Sequence, residues 1–185
     1  MTEYWRAALI ANAVQGPRLL LILYAVNPEL AKATLAPLAA ISAVGFLFGW
    51  ALPSGPEQPG RTDQHVELGN PFRLLPALKF GALFTLILFA GRAAAATVGG
   101  ASAYWTSAFG GFVDVDAIAV TLSDLVHGGQ IPLRAAVIGV VLAWAANAVL
   151  KTILAASAGS VAFGWRVAAG FVAMFAAAAV ALWMG

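Results

Sequence analysis

From Val161 to Trp183 the chain carries one charged residue, Arg166. A run of that length covers the ~30 Å hydrocarbon core of a bilayer at ~1.5 Å per helical residue. It has company. Further apolar runs extend from about Trp5 to Val26, Leu30 to Leu52, Phe72 to Val98, Ala101 to His127 and Leu133 to Ala156. Charged residues make up 10% of the chain and apolar ones 62%, whereas a soluble domain is ~25% charged. The polar surface that a water-soluble fold needs is missing. In lipid every backbone donor and acceptor must be satisfied within the protein, which leaves the helix as the solution for runs this long. The runs predict an all-α fold, a polytopic transmembrane helical bundle of about six spans, forming one integral-membrane domain over residues 1–185. Its parts are a first helix pair (1–52), a hydrophilic loop (53–71), a central helix (72–98), and a broken helix plus a second helix pair (99–185).

The same composition excludes several functions. The net charge is only +2, and the ten Lys and Arg are scattered between apolar runs, so no basic patch forms for nucleic acid. The chain has no cysteine, which removes disulfides, thiol nucleophiles and thiolate metal sites. Met1 to Arg6 includes an acid, and the apolar run behind it lacks a small-residue cleavage site, so this start is expected to be retained. The loop between Pro53 and Pro71 sets Gly55, Pro56, Pro59 and Gly60 among Glu57, Asp63, His65 and Glu67, and reads as exposed. His65 has no second ligand cluster near it in sequence and is expected to be a solvated histidine.

Polar residues inside the apolar runs are the candidates for function. Segment one holds Asn12, Gln15, Gly16, Pro17 and Arg18 near its middle, and proline there predicts an interruption. Segment five holds Asn147 and Lys151 four residues apart, on the face shared with Trp144. Segment four holds Gly110-Gly111 and, just beyond, Asp114 and Asp116. An ionised carboxylate at the centre of a bilayer costs ~3 kcal/mol on insertion scales, so two of them need a reason. On a regular helix, residues two apart point about 200° away from each other. Asp114 and Asp116 face one site only if the glycine pair opens the backbone. A re-entrant segment four would change the parity of the spans.

The simplest assembly sets Asp114 and Asp116 against the counter-charges Lys151 and Arg18, flanked by Asn12 and Asn147, with Thr121, Ser123 and Gln15 as secondary polar lining. Opposite charges brought together offset the burial of each. Two consequences are open. In one, an aspartate caps the half-helix after the glycines and the ion pairs lock the bundle. In the other, the acids line a cation or proton path, because ionisable groups inside membranes mark such paths and broken segments build them. The metal, if one binds, is not specified by these residues.

Ala11-Asn12-Ala13-Val14 recurs as Ala146-Asn147-Ala148-Val149. In the same register Ala8 matches Ala143 and Leu19 matches Leu154, and each copy leads into a turn and an apolar span. The match is short, but its two asparagines are uncommon in such runs, and it predicts an internal repeat of the kind transporters place around a site. Counting positive charge, Arg6, Arg61, Arg73, Lys79 and Arg134 are expected on the side of the N-terminus and Lys32 and Arg166 opposite, which predicts a cytoplasmic N-terminus.

Three motifs carry a resemblance: Asn70-Pro71-Phe72-Arg73-Leu74-Leu75-Pro76-Ala77-Leu78-Lys79-Phe80, Gly111-Phe112-Val113-Asp114-Val115-Asp116-Ala117-Ile118, and Asn147 with Lys151. With them the chain resembles, over nearly its whole length, the C-terminal membrane domain of MgtC/SapB-type proteins, the family numbered 4010 among domains of unknown function. The resemblance implies a bacterial inner-membrane protein, a loose association with magnesium homeostasis, and an MgtC-like partner. In that family a glycine-rich segment precedes the Asn12-type helix, as Gly110 to Asp116 precedes Asn147; this chain is expected to start after it, which makes it either a split subunit whose partner polypeptide supplies the rest of a two-fold site or a truncated reading.

The function expected from all this is a non-enzymatic one. The first form is a cation or proton-coupled transporter or transporter subunit, with no cofactor beyond a bound inorganic cation. The alternative is a membrane scaffold or regulatory module acting with another membrane polypeptide or a second copy of itself. An intramembrane protease needs facing carboxylates that share a proton, and two acids two residues apart on one segment do not supply them.

Overall fold

The computed structural model describes residues 2–51, 85, 89, 102–158 and 160–184. All of its elements are helices: α1 (Thr2–Val26), α2 (Pro28–Ala51), α3 (Ser102–Gly110), α4 (Val115–His127), α5 (Leu133–Ala158) and α6 (Val161–Met184). Four of them, α1, α2, α5 and α6, are long and apolar enough to cross a membrane. The loop 53–71 with His65, the segment from Phe72 to Val98 with Arg73, Lys79 and Arg92, and the Asn70-Pro71-Phe72 motif lie outside the described residues, apart from Thr85 and Phe89, which are helical.

Close approaches fix how the long helices run. Small residues let membrane helices pack without a hydrophobic drive between them. At Gly45 in α2, a β-carbon would meet the methyl of Ala13 in α1 at 2.8 Å and the Met174 side chain of α6 at 2.7 Å. At Gly170 in α6 it would meet Leu9 of α1 at 2.5 Å. Arg6 Nε donates to the Gly49 carbonyl at 2.8 Å, so the start of α1 meets the end of α2. Gly164 near the start of α6 faces Ala156 near the end of α5. Accordingly α1 and α6 run one way, and α2 and α5 run the other. Thr2 and Met184 therefore lie at opposite ends of the bundle.

This corrects the charge count. Arg134 opens α5 at the end opposite Thr2, beside Ala33 and Trp183, while Arg166 stands near the start of α6 at the Thr2 end. Arg134 and Arg166 thus exchange the sides expected of them. Segment four does not cross as one helix, which reverses the sense of everything after it.

Segment one is also continuous. Helical conformation runs from Thr2 through Pro17 to Val26 without the interruption that the proline predicts. Proline deletes one donor, but Leu9, Ala13, Leu19 and Leu23 on either side are fully buried and hold both halves in line. Asn27 starts α2. Its Oδ1 accepts from the Leu30 amide at 3.0 Å, and its Nδ2 donates to the Ser123 carbonyl of α4 at 3.3 Å. Pro28 comes next at the first helical position, where a missing donor costs nothing.

Candidate functional site

Segment four folds as a hairpin. Ser107 of α3 lies against Gly139 of α5, and Gly111, one helical turn later, lies against Ala143. The chain then reverses, because Leu122 of α4 returns to Gly139 and Ser123 reaches Asn27. With 9 and 13 residues, α3 and α4 are about 13 and 19 Å long, too short to cross alone. Both enter and leave at the end of the bundle where α5 begins. The tip sits against Ala143, the eleventh of the 26 residues of α5, about 15 Å along it.

Gly111 is where the tip touches. A β-carbon there would collide with the carbonyl oxygen and Cα of Ala143. The Gly111 amide closes α3 on the Ser107 carbonyl at 2.9 Å, and the amides of Val113 and Asp114 both turn back onto the Gly110 carbonyl at 2.9 Å. Asp114 leaves this turn extended, at φ −157° and ψ 116°. Its Oδ1 accepts from the amides of Asp116 at 2.9 Å and Ala117 at 3.4 Å, so it is the N-cap of α4. Free amides at a helix start need such an acceptor, and a negative charge there also meets the positive end of the helix dipole. Replacing Asp114 with alanine is expected to cost about 1 kcal/mol in thermal unfolding, and Asp114→Asn much less, since asparagine caps as well. Equal losses in the two variants would mean that charge, not capping, is what Asp114 contributes.

The extended residue also turns both acids to one side. Asp114 and Asp116 line a cavity of about 300 Å³ with Gln15, Arg18, Asn147 and Lys151. Asp116 forms an ion pair with Arg18 of α1 through Oδ2. Among the described residues Lys151 pairs with no acid. Its Nζ donates to Asn12 Oδ1 at 2.9 Å and to Gln15 Oε1 at 3.0 Å. Asn12, 1% exposed, also accepts from Trp144 Nε1 at 3.3 Å. The two repeat asparagines therefore lie on antiparallel helices and meet around Lys151, Asn12 by a direct bond and Asn147 one turn before it on α5.

Two of the expected lining residues are elsewhere. Thr121 and Ser123 are each 1% exposed, and their hydroxyls donate to the carbonyls of Ala117 and Ala119 at 2.8 Å. A hydroxyl packed among apolar side chains finds its nearest acceptor one turn back on its own helix, and these two face the core rather than the cavity. Gln15 is part of the site through Lys151. The signal missed in the sequence is Ala143: only the folded chain shows that an alanine there admits the glycine tip.

Three buried polar atoms at or beside the cavity have no partner among the described residues: Asp116 Oδ1, Asn147 Oδ1 and Asn12 Nδ2. Buried polar atoms are nearly always satisfied, and one left over calls for a water or ligand. Among the described residues no three acids or histidines gather as a ready metal site. The arrangement can hold a small polar solute between charges of both signs, or carry a proton on a carboxylate.

A helical membrane protein with a half-depth hairpin and a charged cavity at its tip is the class these features define. Residues 1–159 match the model of the family described as domain of unknown function (DUF4010), and the chain belongs to that family. No curated protein and no solved structure matches it.

Proposed function

We propose that this protein is a cation or proton-coupled transporter, or the membrane subunit of one, in the bacterial cytoplasmic membrane. The observation that carries the reading is the hairpin tip: it brings Asp114 and Asp116, with unsatisfied buried polar atoms, to the middle of helices long enough to span. Half-helices that meet at mid-depth are how transporters build substrate and ion sites. Asp114 is occupied as a cap, so Asp116 is the carrier, exchanging Arg18 for a proton or cation.

Asp116→Asn is expected to lower ion flux at least tenfold in vesicles reconstituted with the purified protein, while the variant still inserts. Flux is read with an internal pH dye and a panel of mono- and divalent cations. Unchanged flux in the variant removes Asp116 from the path.

A second reading has its own support. Asp114 as a cap and Asp116 paired with Arg18 are also what a locked, non-transporting module would contain. Such a module would act as a scaffold with another membrane polypeptide, an MgtC-like one by family association. It predicts co-purification with that polypeptide and flux no greater than in empty vesicles. We further propose a cytoplasmic N-terminus: among the described residues Arg6 and Arg166 at the Thr2 end are matched by Lys32 and Arg134 at the other, and Arg61, which follows Ala51 in sequence, tips the count toward the Thr2 end.

A further inference from the structure

We infer that the cavity at the hairpin tip takes a small zwitterion, a solute of amino-acid size bearing an ammonium and a carboxylate, rather than a bare metal ion. The inference rests on the proton-coupled form of the transport reading and names its cargo. Two acids and two bases line the cavity, Asp114 and Asp116 with Arg18 and Lys151. A metal ion entering there would meet two fixed cations within the same small space. It would also find few ligands, since hard cations take six or more oxygens in close, converging geometry. Asp114 has one oxygen committed to two amides, and one oxygen of Asp116 is held by Arg18.

Size argues the same way. A water molecule's share of liquid volume is about 30 Å³, so 300 Å³ is far more than a dehydrated ion occupies. It is the low end of the range for small-molecule sites.

The unspent hydrogen-bonding capacity is split by sign. On the accepting side are Asp116 Oδ1 and Asn147 Oδ1, both buried and without a partner among the described residues. An ammonium group satisfies both and meets the negative charge of Asp116. On the donating side, Lys151 spends two of its three ammonium hydrogens on Asn12 and Gln15. Arg18 is 61% exposed and spends one donor group on Asp116, leaving others of its five. A carboxylate takes these. The two amides of Asn12 and Gln15 hold Lys151 without placing a counter-charge on it. One molecule with both groups satisfies both sides and adds no net charge to the site. A monopolar amine or carboxylate satisfies one side and leaves a net charge inside the bilayer, which is costly.

The test is thermal stability of the full purified chain in detergent, with glycine, alanine and larger neutral amino acids. Ethylamine, acetate, and chloride salts of mono- and divalent cations serve as monopolar controls. At a hundredfold excess over its dissociation constant, a fitting zwitterion is expected to raise the melting temperature by about 5–10 °C. Ethylamine and acetate are expected to shift it by less than about 1 °C. Asp116→Asn and Lys151→Met should each abolish the zwitterion's shift. Should either fail to fold, Asn147→Ala removes one free acceptor without touching the ion pair, and should weaken the response at least tenfold in midpoint concentration. Stabilisation by an inorganic cation with every zwitterion silent overturns the cargo and leaves the transport reading standing. No stabilisation by any compound, together with no flux in vesicles, overturns both.

Discussion

Gly111→Ala is expected to destroy the folded state rather than weaken it. The added methyl would overlap the Ala143 carbonyl and lie 2.6 Å from the Ala143 Cα and 2.7 Å from the Ser107 carbonyl. All are backbone atoms, which cannot rotate aside as a side chain end does. Overpacking a core where side chains can adjust costs about 1–3 kcal/mol; here the hairpin must lift off α5, and the loss should exceed about 3 kcal/mol. Lifting it also withdraws Asp116 from Arg18 and opens the cavity. The measurement is the fraction of detergent-extracted protein that elutes as one sharp species, with its melting temperature. Gly128→Ala is the control, because a β-carbon there meets nothing closer than the Asp124 carbonyl at 3.4 Å, and it should stay within about 0.5 kcal/mol of wild type. A Gly111→Ala protein as stable as Gly128→Ala would mean that the tip does not seat on Ala143.

Asn12→Leu should have the next largest effect. Asn12 is 1% exposed and its one oxygen serves two donors, the Lys151 ammonium and the Trp144 indole. Leucine has the same branched skeleton of side-chain heavy atoms, is bulkier, and has no acceptor. Lys151 would keep Gln15 alone, and the indole N–H, on a fully buried ring, would have nothing. A hydrogen bond to a charged group is worth about 1.5–3 kcal/mol, and an abandoned buried donor costs about 1–3 kcal/mol. Together they predict a loss of about 3–5 kcal/mol, or roughly 10 °C in melting temperature for a chain this long. The double variant Asn12→Leu with Lys151→Met should recover part of that loss, since removing both partners of a buried polar pair is far less costly than removing one. A double variant no better than Asn12→Leu alone would show that Lys151 does not depend on Asn12.

The residues of the site were readable before their arrangement was. Asn12, Gln15, Arg18, Asp114, Asp116, Asn147 and Lys151 stand out because each is costly in a bilayer, and they do converge on one cavity. The pairing among them was only half readable. Arg18 meets Asp116, but Lys151 binds two amides instead of an acid. Which base reaches which acid depends on helix rotation and depth, and polarity alone carries neither. Thr121 and Ser123 show the same gap. Their spacing puts them on definable faces of α4, yet the hairpin turns those faces toward α1 and α5.

By itself the sequence of this chain determined that it is helical, where its spanning helices start and stop, and that it breaks at Gly110-Gly111 with an acid ready to cap the next helix. Those are local matters: hydrocarbon leaves the backbone no partner but itself, glycine pairs open helices, and Asp114 needs only its own next amides. The tertiary structure alone decided that segment four turns back at half depth, that Thr2 and Met184 end up on opposite sides, and that Arg134 and Arg166 exchange places. Lipid wets every face of a spanning helix alike, so its apolar pattern does not say which side packs. A glycine break is equally able to kink a helix onward or to send it back. Only the seat that Ala143 leaves for Gly111 on α5 selects the return.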